Sequence, residues 1–122
     1  MNILAIDDNE DILSLLETVL ASKGHDFMQA VNGKDGLKLI EEQNFDAILL
    51  DLAMPEFSGL DVIEGLKKSN KLKDQKIILF TASSATDKEI DALLQNDGIK
   101  SCIKKPVRIE SLMKKVEEVV KS

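Results

Sequence analysis

Three carboxylates, one hydroxyl and two ammonium groups stand at the ends of apolar runs in this chain. Asp7 and Asp8 follow Ile3–Ile6, Asp51 follows Ala47–Leu50, Thr81 follows Ile77–Phe80, and Lys104 and Lys105 follow Ser101–Ile103, just before Pro106. Brought to one crevice, the three acids repel. At about 4 Å and an effective dielectric near 20, each pair costs about 4 kcal/mol. A cation would relieve that repulsion. All-oxygen ligands with no His or Cys beside them favour a hard ion, Mg²⁺ or Mn²⁺. Mg²⁺ takes one or two carboxylates, several waters and a phosphate oxygen. Asp51 would then be the nucleophile that receives a phosphoryl group. A lysine and Thr81 would balance and orient the remaining phosphoryl oxygens.

Such a site exists only if the chain gathers its run ends. Five apolar runs, Ile3–Ile6, Phe27–Val31, Ala47–Leu50, Ile77–Phe80 and Ser101–Ile103, are each followed by a stretch of helical period. Ile12, Leu16, Val19 and Leu20 share one helical face, ended by Gly24. "TDKE" at Thr86–Glu89 has the pattern of a capping box ahead of Ile90, Leu93 and Leu94. Ile109, Leu112, Met113, Val116, Val119 and Val120 stripe the last helix. Five strand-then-helix repeats imply an α/β fold with a parallel sheet covered on both faces. Runs such as "AILL" and "IILF", apolar at consecutive positions, suit strands buried on both sides. In these folds ligands bind beyond the carboxyl ends of the strands, where strand order reverses.

Bulk properties agree. At 122 residues and 43% hydrophobic content, one globular domain is expected over residues 1–122. One Cys forms no intrachain disulfide, which fits a reducing compartment. The N-terminus, MNILAIDD, reads as neither signal peptide nor anchor, and no apolar stretch approaches the roughly 20 residues of a membrane span. A cytoplasmic location is expected. Net charge is −6, which argues against a nucleic-acid backbone as partner. Residues 98–122 hold seven Lys or Arg against three Glu, a local +4, leaving −10 on the first 97. That basic excess reads as a solvated face or a docking surface for an acidic partner.

The motifs IDDNED, ILLDLAMPEFSG, FTA and KKPV, in this order and spacing, resemble the receiver domain of two-component response regulators, of the single-domain, chemotaxis-regulator-like kind. The resemblance covers the whole chain. It implies a flavodoxin-like, doubly wound sheet of five parallel strands in order 2-1-3-4-5, with five helices on both faces. It implies a signalling switch whose only catalysis is its own phosphorylation and dephosphorylation. The acceptor would be Asp51, and the donor a phosphohistidine of a sensor histidine kinase or histidine phosphotransfer protein. Asp8 and Asp51 would hold Mg²⁺ through side chains and Ala53 through its carbonyl, with Asp7 acting through a metal-bound water. Thr81 would hydrogen-bond the phosphoryl group and Lys105, immediately before the proline, would pair with it. The Lys105–Pro106 bond would be cis, which only X–Pro bonds adopt cheaply. A downstream protein would read the fourth helix, fifth strand and last helix. No nucleic-acid or membrane partner is implied, and the chain would be a monomer or a phosphorylation-dependent dimer.

Competing readings fit less well. A calcium loop at Asp7, Asn9 and Asp11 fails because Ile12 stands where Gly is needed and Thr18 where the bidentate Glu belongs. A phosphohydrolase of the haloacid dehalogenase type would carry a second Asp where Ala53 stands. A pseudo-receiver that only binds partners is opposed by the full set of acids, Thr81 and Lys105. Lys104 and His25 are expected at the solvated surface, His25 far from the crevice. Met54 and Pro55 are expected to shape the turn and Gly59 to open a helix after Ser58, all without chemistry. Cys102 stands where many receivers carry an aromatic that turns inward, and reads as a small buried hydrophobe. The stretch Thr81 to Lys105 exceeds the usual length by about two residues, placed in SSATD, which predicts an altered loop and an altered dephosphorylation rate.

Overall fold

The computed structural model describes residues 1–81, 86–105 and 108–121. Five strands, β1 (Asn2–Ile6), β2 (Asp26–Ala30), β3 (Ala47–Asp51), β4 (Ile77–Thr81) and β5 (Ile99–Lys104), alternate with α1 (Glu10–Ser22), α2 (Gly33–Glu42), α3 (Gly59–Lys68), α4 (Asp87–Leu94) and α5 (Ile109–Lys121). A short 3₁₀ turn, Leu72–Asp74, precedes β4. All pairings are parallel and the order is β2-β1-β3-β4-β5. This is the flavodoxin-like arrangement expected, with its switch point between β1 and β3.

Each face of the sheet has its own core. Leu4, Ile6, Ile48, Leu50 and Leu79 pack under Ile40 of α2, Val62, Ile63 and Leu66 of α3, and the half-buried Leu93 and Leu94 of α4. Ile3, Ala5, Leu49, Ile78 and Phe80 pack under Leu13, Leu16 and Leu20 of α1 and Leu112, Met113, Val116 and Val119 of α5. Successive strand residues point to opposite faces, so both covers are needed to hide AILL and IILF.

Local chemistry sets the ends of the helices. Asn9 caps α1, accepting from the amides of Asp11 and Ile12. Beyond α1, His25 N donates to Leu20 O and Gly24 N to Ala21 O, a Schellman motif made possible by Gly24 at φ +81°. Thr86 Oγ1 caps α4 by accepting from Glu89 N at 3.2 Å. Both halves of a capping box form at α3, between Ser58 and Asp61.

Boundaries differ from expectation in ways that bear on the site. β3 and β4 run one residue further, taking in Asp51 and Thr81, because those residues still pair in the ladder. β2 stops at Ala30, leaving Val31 exposed. On α1 the buried line includes Leu13, with Ile12 and Val19 at its margin, because the core meets the helix slightly off the expected stripe. Ala82 of FTA, most of the SSATD stretch, Pro106 with its peptide bond, and the Ile109 side chain lie outside the described residues.

Candidate functional site

Strand register brings the acids together. Ile6 pairs with Leu50, so Asp7 and Asp51 are the next residues of two adjacent strands. Asp51 in turn pairs with Phe80, and Thr81 with Lys104. Asp7, Asp51 and Thr81 are the buried polar residues here, at 2%, 3% and 4% exposure, while Asp8 is exposed. One carboxylate oxygen from each of Asp7, Asp8 and Asp51 lies within 4.8 Å of the others.

The groups around them fix the carboxylates. Asp7 Oδ1 accepts from Asn9 N at 2.9 Å, so the residue that caps α1 also orients Asp7. Asp51 Oδ1 accepts from Ala53 N at 3.2 Å. Lys105 Nζ lies 3.1 Å from Asp7 Oδ2 and 3.6 Å from Asp51 Oδ2. Its amide donates to Thr81 O at 2.8 Å, holding the chain after β5 against the end of β4. Burial is the main influence on Asp51 and pushes its carboxyl above the usual 3.8. The Ala53 N–H works against that rise, the negative Asp7 adds to it, and Lys105 opposes it.

Gly59 has a steric role that sequence reading missed. A Cβ there would strike the carbonyl oxygen of Asp51 and the Cα of Leu52. The first turn of α3 therefore lies directly against the backbone at the end of β3, with Gly59 N donating to Leu52 O. Between them, Glu56 adopts φ +65° in the turn after Pro55. The only hint in the sequence was the spacing from Asp51 to Ser58-Gly59.

Other expectations hold in part. Lys104 is exposed but tied: its Nζ meets Asp87 Oδ1, at the first turn of α4, at 3.2 Å. No spacing rule reveals that pair, which depends on how α4 sits on β5. His25 lies at the opposite end of the sheet, as expected, yet it is half-buried, with Nδ1 3.4 Å from the Met1 amine. Cys102 is half-buried and packs at the margin of the core under α2, α3 and α4.

The donor set fits a hard divalent ion. Opposite ligands on Mg²⁺ stand about 4.2 Å apart, twice a bond of about 2.1 Å. With the three oxygens spread over up to 4.8 Å, an ion between them would draw the carboxylates together or take one of them through water.

Residues 3–117 match the family model described as the response regulator receiver domain. The chain belongs to this family. Receiver domains are the phosphoacceptor switches of two-component systems and bind Mg²⁺ in an acidic pocket. Among relatives, this receiver is 33% identical over 115 residues to the CAI-1 autoinducer sensor kinase/phosphatase CqsS of Vibrio cholerae, covering 93% of the chain and 16% of CqsS. It is 29% identical over 119 residues to PilH of Pseudomonas aeruginosa, covering 97% and 96%. It spans about half the length of several transcriptional regulatory proteins that it matches. The response regulator TrrA of Thermotoga maritima, solved in complex with Mg²⁺ and BeF, superposes with a TM-score of 0.81 at 32% identity, covering 97% of both chains. Among the described residues of this receiver, no helix is long and apolar enough to cross a membrane.

Proposed function

We propose that Asp51 accepts a phosphoryl group from a phosphohistidine of a sensor histidine kinase or histidine phosphotransfer protein. The observation that carries the reading is the setting of Asp51: last residue of its strand, only 3% exposed, one oxygen held by Ala53 N and the other facing Lys105. A carboxylate so placed is anchored on one side and available on the other. The donor's P–N bond breaks as a P–O bond forms at Asp51.

Mg²⁺, or Mn²⁺ in its place, supplies charge neutralisation for the carboxylates and the phosphoryl oxygens. Asp8 and Asp51 would hold it through side chains and Ala53 through its carbonyl, with Asp7 acting through a bound water. Lys105 turns from Asp7 to pair with a phosphoryl oxygen, and the Thr81 hydroxyl donates to another. The chain acts as a cytoplasmic switch over residues 1–122. It catalyses only its own phosphorylation and dephosphorylation, and it changes a surface read by a downstream protein.

Incubation with a small phosphodonor and Mg²⁺ tests this. One slowly hydrolysed phosphoryl per chain is expected. Rapid multiple turnover would make the protein a phosphohydrolase, and no label would make it a partner-binding module.

A further inference from the structure

We propose that Lys104, outside the phosphoryl site, positions α4 through Asp87 and thereby restrains the loading of Asp51. The inference rests on Asp51 being the acceptor. Lys104 Nζ reaches Asp87 Oδ1 at 3.2 Å, and Asp87 is the first residue of α4. Lys104 also stands in register with Thr81. The next residue, Lys105, donates its amide to Thr81 O at 2.8 Å and places its ammonium 3.1 Å from Asp7 and 3.6 Å from Asp51. One dipeptide therefore joins the acceptor, the end of β4 and the start of α4.

In this arrangement Lys105 is closer to Asp7 than to Asp51. Pairing with a phosphoryl group on Asp51 requires Lys105 to leave Asp7, and any shift of the β5 end that accompanies this carries Lys104 with it. The Lys104–Asp87 pair opposes it by holding β5 and α4 in their present relation. The side chains of the pair are 44% and 90% exposed, so its effect on global stability is small. A two-state switch with a narrow gap nonetheless responds to a bias of that size.

The experiment uses the full chain with Lys104→Gln and Asp87→Asn, singly and together, and reads the beryllofluoride midpoint at fixed Mg²⁺. Each single change is expected to lower the midpoint about two- to fivefold, the range of an exposed ion pair. The double variant should go no further than the singles, and Lys104→Glu with Asp87→Lys should restore the original midpoint. The difference between variants and parent should fade in about 1 M salt. Losing a positive charge near an anion site would by itself weaken uptake. A lowered midpoint for Lys104→Gln thus separates a restraint from simple electrostatics. Singles that leave the midpoint unchanged or raise it, or effects that add in the double variant, overturn the proposal. If the parent takes up beryllofluoride and the variants match it, only this inference falls. If the parent takes up none, the acceptor reading falls and this inference with it.

Discussion

The Lys105 ammonium lies 3.1 Å from Asp7 Oδ2, nearer than to Asp51 Oδ2 at 3.6 Å. Lys105 thus balances the charge that a divalent ion would balance at the same carboxylates, and the two compete. Lys105→Met is expected to tighten Mg²⁺ binding roughly tenfold, equivalent to about 1.4 kcal/mol, while slowing phosphorylation. The chain has no Trp or Tyr, so calorimetric titration is the suitable readout. Unchanged or weaker binding would contradict the competition.

Asp51→Asn should stabilise the metal-free protein at neutral pH. Burial raises the Asp51 carboxyl above 3.8 in the folded state, so the folded protein holds that proton more tightly than the unfolded chain. The contribution of Asp51 to stability is then fully present below 3.8 and is lost as pH rises through the raised folded value. Asn carries no such titration. The variant should therefore be the more stable of the two at pH 7. The gain should shrink towards zero near pH 3. Urea unfolding in chelator at the two pH values checks this, and a variant less stable at pH 7 would refute it.

The site was legible in the sequence to the extent that it depends on strand ends. Asp7, Asp51 and Thr81 each follow an apolar run, and the parallel α/β rule alone places such residues on one edge of the sheet. Lys105 was legible through its neighbour Pro106. What escaped depends on contacts between elements that no single-element pattern encodes. Gly59 matters because α3 returns against the Asp51 backbone, and Lys104 because α4 comes to rest beside β5. Leu13 joined the core because a helical stripe fixes a face only to within about one residue.

Gly59→Ala should damage stability and function together. The added Cβ meets backbone atoms of Asp51 and Leu52, which cannot swing aside as a flexible side chain could. A loss of about 1–3 kcal/mol is expected from overpacking. The beryllofluoride midpoint should also rise, because the end of β3 that carries Asp51 must shift. Urea unfolding and the same titration measure both. A fully stable variant with an unmoved midpoint would show that α3 yields freely.

Cys102 should react slowly. Burial raises its thiol above the usual 9.0, with Lys104 only partly opposing that rise, so little thiolate is present near neutrality. Alkylation of the folded protein at pH 8 should be at least about tenfold slower than in urea, as expected for a thiol with little thiolate. Equal rates would place the thiol in solvent.

In the proposed switch an acidic pocket presents one oxygen of Asp51 to an incoming phosphoryl group with a divalent ion beside it. Peptide mapping by mass spectrometry, after reaction with a small phosphodonor in Mg²⁺ or in chelator, tests it most directly. One phosphoryl is expected, on the peptide containing Asp51, formed with Mg²⁺ and lost with chelator. A phosphoryl on any other residue, or equal labelling without the ion, would contradict it.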